Sequence, residues 1–126
     1  MIFHHIGIAT KDIDETLVYI KNVYKNIDTI SDIIYDKLQD ASLCMVTLKD
    51  GINIELVSGN QVNGYIKKRI SLYHTCWEVD DINKAIELQV DSGAFLVSEP
   101  KEAILFNNRR VAFVYSDIGL VELLEK

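Results

Sequence analysis

Two histidines and two glutamates carry the chemistry this sequence offers, because the chain sets them at matching points of a repeat. Phe3 to Leu17 reads FHHIGIATKDIDETL, and Tyr73 to Ile86 reads YHTCWEVDDINKAI. Setting His5 over His74 gives an offset of 74 − 5 = 69, at which Asp12 falls on Asp81, Ile13 on Ile82 and Leu17 on Ile86. INIELV (Ile52 to Val57) recurs as GLVELL (Gly119 to Leu124), with Glu55 over Glu122 at an offset of 122 − 55 = 67. One histidine near a strand start is ordinarily structural, but two at equivalent positions call for a common reason. Each has small neighbours on its own face, Gly7 and Ala9 after His5 and Cys76 after His74, so there is room beside the imidazole. Glu55 and Glu122 lie in strands that otherwise read as core. Such a carboxylate either points to solvent on an open sheet face or is paired or bound to a cation, since an isolated buried charge is very costly. Two imidazoles and two carboxylates make a mixed nitrogen and oxygen donor set that suits Zn²⁺, Ni²⁺, Co²⁺ or Mn²⁺. Four protein ligands with positions left for water or substrate would make a catalytic rather than a structural site.

The elements that must position these residues follow from periodicity. Phe3 to Ala9 alternates as a strand, with Phe3, His5, Gly7 and Ala9 on one face. Asp12 followed by Glu15 marks a helix start, and Ile13, Leu17, Ile20 and Tyr24 trace one helix face to about Lys25. Asp28 to Tyr35 reads as a second strand and Leu43 to Leu48 as a third. Lys49-Asp50-Gly51 is a hairpin signal, and Ile52 to Val57 is the fourth strand, with Glu55 on the face of Asn53 and Val57. Val62, Tyr65, Ile66 and Arg69 give the connector a helical spacing. The plan then recurs: a strand over Leu72 to Val79, a helix from Asp81 to about Gly93 and a short strand over Ala94 to Ser98. A turn at Glu99-Pro100-Lys101 and strands over Val111 to Tyr115 and Leu120 to Leu124 complete it. Strand, helix and three strands, twice, predict an α+β fold of two βαβββ modules forming a curved eight-stranded mixed sheet with helices on the outer face. The modules span about 1–58 and 71–126 of a single 1–126 domain, joined by a short helical connector over 59–70.

Bulk properties bound the partners. The chain has 126 residues, a net charge of −6 and a pI near 4.9, with no basic patch, which argues against a nucleic-acid or anionic-membrane surface. No apolar run reaches the roughly 18 residues of a membrane span, and MIFHHIGIAT does not read as a signal peptide. Cys44 and Cys76, both mid-strand, read as buried reduced thiols of a cytoplasmic protein.

Taken together, HHIGIATKDID, YHTCWEVDDINKAI, INIELV and GLVELLE resemble the vicinal oxygen chelate superfamily, which includes glyoxalase I (lactoylglutathione lyase), methylmalonyl-CoA epimerase, extradiol dioxygenases and bleomycin-resistance proteins. The VDDI form, the connector VNGYIKKR and the final NNRRVAFVYSDIGLVELLE are similar to epimerases in particular. The resemblance implies a glyoxalase-like fold and one divalent metal ion (Ni, Co, Zn or Mn) held by His5, Glu55, His74 and Glu122. It further implies a metal-dependent enzyme that moves a proton next to a carbonyl through a metal-bound enediolate, with Glu122 as first candidate base and Glu55 as second. Arg109 and Arg110 are candidates for an anionic group of an acyl-CoA or glutathione-type substrate, and Gln39, just before the third strand, for lining the site. Lactoylglutathione lyase is the second reading and a non-catalytic small-molecule or drug-binding protein of the same fold the third. A homodimer is expected by resemblance.

Overall fold

Strand alternation and two aspartate caps account for most of the architecture. The computed structural model describes every residue from Met1 to Lys126. In chain order the elements are β1 (Ile2–Ala9), α1 (Ile13–Val23), β2 (Ile27–Ile30), β3 (Ile34–Asp36), β4 (Ala41–Leu48), β5 (Asn53–Ser58), α2 (Asn63–Lys67), β6 (Leu72–Val79), α3 (Ile82–Asp91), β7 (Phe95–Ala103), β8 (Arg109–Ser116) and β9 (Gly119–Glu125). Short 3-10 turns cover Asn60–Val62 and Ile104–Phe106. No helix is long and apolar enough to cross a membrane. The backbone groups into one unit of His5–Tyr73 and another of His74–Lys126 with Met1–His4.

In the first unit the strand order is β2-β4-β5-β1, with β3 also on β4. β1 and β5 run parallel, with Gly7 opposite Glu55 and Ile8 opposite Leu56. α1 begins at Asp12, whose carboxylate accepts the Glu15 N–H at 3.1 Å. Its buried stripe of Ile13, Leu17 and Ile20 packs on Cys44, Val46 and Leu56. The helix therefore covers the sheet face opposite Glu55, because strand neighbours alternate faces.

The second unit repeats this with β6-β9-β8-β7. β6 and β9 are parallel, with Cys76 opposite Glu122. Asp81 caps α3 by accepting the Lys84 N–H at 3.1 Å, and Ile82 and Ala85 pack on Val79, Ala112, Val114, Val121 and Leu123. Phe3 meets Trp77 edge-on at 5.3 Å, which attaches the start of β1 to this unit.

Two expectations are corrected. Asp28 to Tyr35 is not one strand but β2 and β3, so the chain has nine strands rather than eight. The break falls at Ser31, whose hydroxyl accepts the Met45 N–H at 2.8 Å in place of a ladder carbonyl. The second correction is at Glu99-Pro100-Lys101, which is not a turn but part of β7. β7 ends its strand order and shifts register between Ser98 and Lys101, and such an irregular edge tolerates a residue without an N–H. Cys44 and Cys76 are buried and form no disulfide. Burial pushes the Cys44 thiol above its usual range, and it donates to the Ser31 carbonyl.

Candidate functional site

Each unit holds one buried imidazole beside one buried carboxylate, and the two pairs are built alike. In the first, His5 lies on β1 and Glu55 on β5, with Nε2 and Oε1 3.5 Å apart. Gly7 is the register partner of Glu55 and has no side chain, so the residue directly opposite the glutamate on β1 leaves room for its carboxylate. In the second, His74 on β6 and Glu122 on β9 stand 3.4 Å apart, Nε2 to Oε1, and the partner of Glu122 is Cys76, again a small residue. All four side chains are buried: His5 is 0%, Glu55 3%, His74 5% and Glu122 1% exposed. The solvent-facing alternative for the glutamates is thereby removed.

The opposite flank of each glutamate also matches. Met45 on β4 faces Glu55, and Phe113 on β8 faces Glu122. The Phe113 ring meets the His74 imidazole edge-on, with centroids 5.4 Å apart. Reading the sequence alone overlooked Met45 and Phe113. They look like core hydrophobes, and only the hairpin register places them beside a carboxylate.

The spacing within the pairs bears on what they hold. A charge-assisted hydrogen bond draws N and O to about 2.7–2.9 Å, well inside the 3.4 and 3.5 Å seen here. Two donors that share a metal at about 2.0–2.2 Å in a tetrahedral arrangement stand about 3.4 Å apart. The donor types, the spacing and the burial of each pair thus fit a divalent cation. Both pairs repeat one donor set, an imidazole and a carboxylate, of the kind that can hold such an ion.

The other candidates have partners within the protein. On β8, Arg109 shares the face of Val111 and Phe113, while Arg110 shares that of Ala112 and Val114, under α3. Arg109 donates to a Glu78 carboxylate oxygen and, at 2.7 Å, to the Glu125 carbonyl. Arg110 donates to both Glu125 carboxylate oxygens, at 3.0 and 3.1 Å. Glu125 also accepts the Ile82 N–H at the start of α3, at 2.9 Å. The Arg110 guanidinium, then the Ile82 N–H, hold the Glu125 carboxyl below its ordinary range. Gln39 lies in the turn between β3 and β4, where its amide donates to the buried Asp36 carboxylate at 2.9 Å.

Comparison with known proteins bears on the same fold. A sequence profile of the Glyoxalase/Bleomycin resistance protein/Dioxygenase superfamily matches residues 4–113. No curated protein gave a significant match. Among solved structures, methylmalonyl-CoA epimerase from Mycobacterium tuberculosis superposes with a TM-score of 0.82 at 18% identity, covering 98% of this chain and 86% of that one. A Streptomyces coelicolor methylmalonyl-CoA epimerase variant in complex with 2-nitronate-propionyl-CoA gives 0.79 at 18% identity, covering 100% and 94%. A hypothetical protein from Bacillus halodurans gives 0.77 at 24% identity, covering 98% and 93%. At these identities the likeness establishes the fold.

Proposed function

The chain belongs to the Glyoxalase/Bleomycin resistance protein/Dioxygenase superfamily, and from that premise we propose that it is a divalent-metal-dependent isomerase that moves the proton next to a carbonyl, in the manner of methylmalonyl-CoA epimerase. The observation that carries this reading is the doubled pair: a buried histidine and a buried glutamate at 3.5 Å in one unit and at 3.4 Å in the other. In the proposal His5, Glu55, His74 and Glu122 serve one ion, which is Ni, Co, Zn or Mn.

When bound, the ion supplies Lewis-acid polarisation of the substrate carbonyl. The remaining work falls to the protein. Glu122 takes the α-proton into its carboxylate, and the negative charge left behind spreads onto the carbonyl oxygen. Glu55, released from the ion and entering the cycle as the protonated acid, then gives its proton to the opposite face of the same carbon. The two carboxyls exchange protons with solvent before the next turnover. Inversion of a stereocentre needs a base and an acid, and Glu122 as carboxylate with Glu55 as carboxylic acid provides both. The apolar flanks Met45 and Phe113 keep water from competing for the proton. Arg109 is the candidate for an anionic group of the substrate, because it shares a sheet face with Glu122, whereas Arg110 lies on the α3 side and Gln39 is turned into Asp36. An acyl-CoA is the proposed substrate class, on the analogy of the epimerases of this fold, one of which is solved in complex with methylmalonyl-CoA. A cytoplasmic homodimer completes the reading, the compartment agreeing with two buried thiols that form no disulfide.

The test is proton NMR of methylmalonyl-CoA in D₂O with the purified protein and Co²⁺. Metal-dependent loss of the α-proton signal is the expected result. A silent spectrum with metal bound moves the assignment to a glutathione hemithioacetal and lactoylglutathione lyase chemistry. Silence without bound metal identifies a small-molecule-binding protein instead.

A further inference from the structure

The connector carries a feature the metal pairs leave unused. α2 closes in a Schellman turn: the Arg69 N–H donates to the Ile66 carbonyl at 3.0 Å and the Ile70 N–H to the Tyr65 carbonyl at 2.9 Å. The residue after the cap of such a turn sits in the left-handed region, where glycine is the usual occupant because a side chain there costs about 1 kcal/mol. α3 ends in the same turn and obeys the rule, with Gly93 at φ +105°. α2 breaks it, with Arg69 at φ +57°. The position therefore carries an arginine against its own backbone preference.

That arginine borders a cleft of about 340 Å³, lined also by Ile8, Thr10, Lys11, Thr16 and Ser71 and by no acidic residue. The Ala9 N–H donates to the Ser71 carbonyl at 2.8 Å, which closes the cleft between the end of β1 and the chain after α2. The Thr10 and Thr16 hydroxyls are hydrogen-bonded to each other, so a hydroxyl pair stands at the wall. Of the three arginines, Arg109 and Arg110 are bound to glutamates, whereas Arg69 has no carboxylate partner, and neither has Lys11. In a chain of net charge −6 this is a local reversal of sign.

We propose that this cleft binds a phosphate-type anion. A guanidinium offers forked donors matched to phosphate oxygens, and an ammonium offers a point charge. Ile8 packs toward α1, away from Glu55, and Thr16 belongs to α1, so the cleft lies at the end of β1 beside the helix, and neither Glu55 nor His5 lines it.

The test is a titration of the full chain with sodium phosphate at constant ionic strength, followed by amide chemical shifts. Saturable shifts at Lys11, Thr16 and Ser71 are expected. Arg69→Gly is the decisive variant. It weakens phosphate binding by about tenfold or more, the loss of one charged hydrogen-bonding partner. It leaves the thermal midpoint equal or higher, because glycine suits the turn. Lys11→Gln weakens binding as well, without touching the backbone. Adenosine 3′-phosphate, with adenosine as uncharged control, separates the sources. Tighter binding than inorganic phosphate assigns a phosphorylated metabolite, and equal or weaker binding assigns the free anion. Shifts that never saturate, or an Arg69→Gly protein that binds as tightly as the parent, overturn the proposal.

Discussion

Glu122 and Glu55 are carboxylates that burial forces to have a purpose. At 1% and 3% exposure neither is hydrated, and a bare buried carboxylate would be protonated or expelled. The adjoining histidine supplies each one with a second donor atom, at a separation suited to a cation between them. Substitution separates the roles. Glu122→Gln keeps the volume and one ligating oxygen but removes the proton acceptor. It should slow α-proton exchange in D₂O by about 10²–10⁴-fold, measured by NMR at saturating Co²⁺. An unchanged exchange rate would exclude Glu122 as the base.

At the scale of elements, the two aspartate caps and the Glu125 bridge hold the helices on the sheet faces away from the glutamates. Asp81→Ala removes the acceptor of the Lys84 N–H and should cost about 1 kcal/mol. In a differential scanning measurement this appears as a fall of about 3–5 °C in the midpoint. The Glu125 carboxyl is held low by Arg110 and by the Ile82 N–H. Since its folded value lies below its unfolded value, about 4.3, its contribution is complete above that pH. It is lost as the pH falls through the folded value. Urea unfolding followed from about pH 6 down to pH 3 should therefore show an acid limb that is shallower in Glu125→Gln. An identical limb would show that the bridge adds no pH-dependent stability.

At the scale of the whole molecule, the repeat bears on how many ions one chain takes. If His5, Glu55, His74 and Glu122 serve one ion, added Co²⁺ should raise the thermal midpoint. The gain would be about 2.7 kcal/mol at a free concentration one hundred times the dissociation constant. His5→Ala and His74→Ala should each abolish the whole rise, and calorimetric titration of the parent should give one ion per chain. Two ions per chain, or a partial rise surviving in either variant, would mean that each pair acts alone.

Much of this protein is written locally. The duplication, the faces of the strands, the caps at Asp12 and Asp81 and the small residues beside the histidines follow from periods of two and 3.6, which each segment carries by itself. The glutamates could be singled out because a carboxylate interrupts an apolar strand. Other features depend on which distant strand lies alongside. Parallel pairing joins β1 to β5 and β6 to β9, bringing His5 to Glu55 and His74 to Glu122 across about fifty residues of chain. Hairpin register adds Met45 and Phe113, and the same alternation that sends Arg109 toward Phe113 sends Arg110 toward α3. Ser31 splits one expected strand by bonding to Met45, and Pro100 stays in a strand because β7 is an irregular edge. These outcomes belong to the tertiary structure, since pairing partners are selected by packing and hydrogen-bond completion over the whole chain, whereas propensity acts within a few residues.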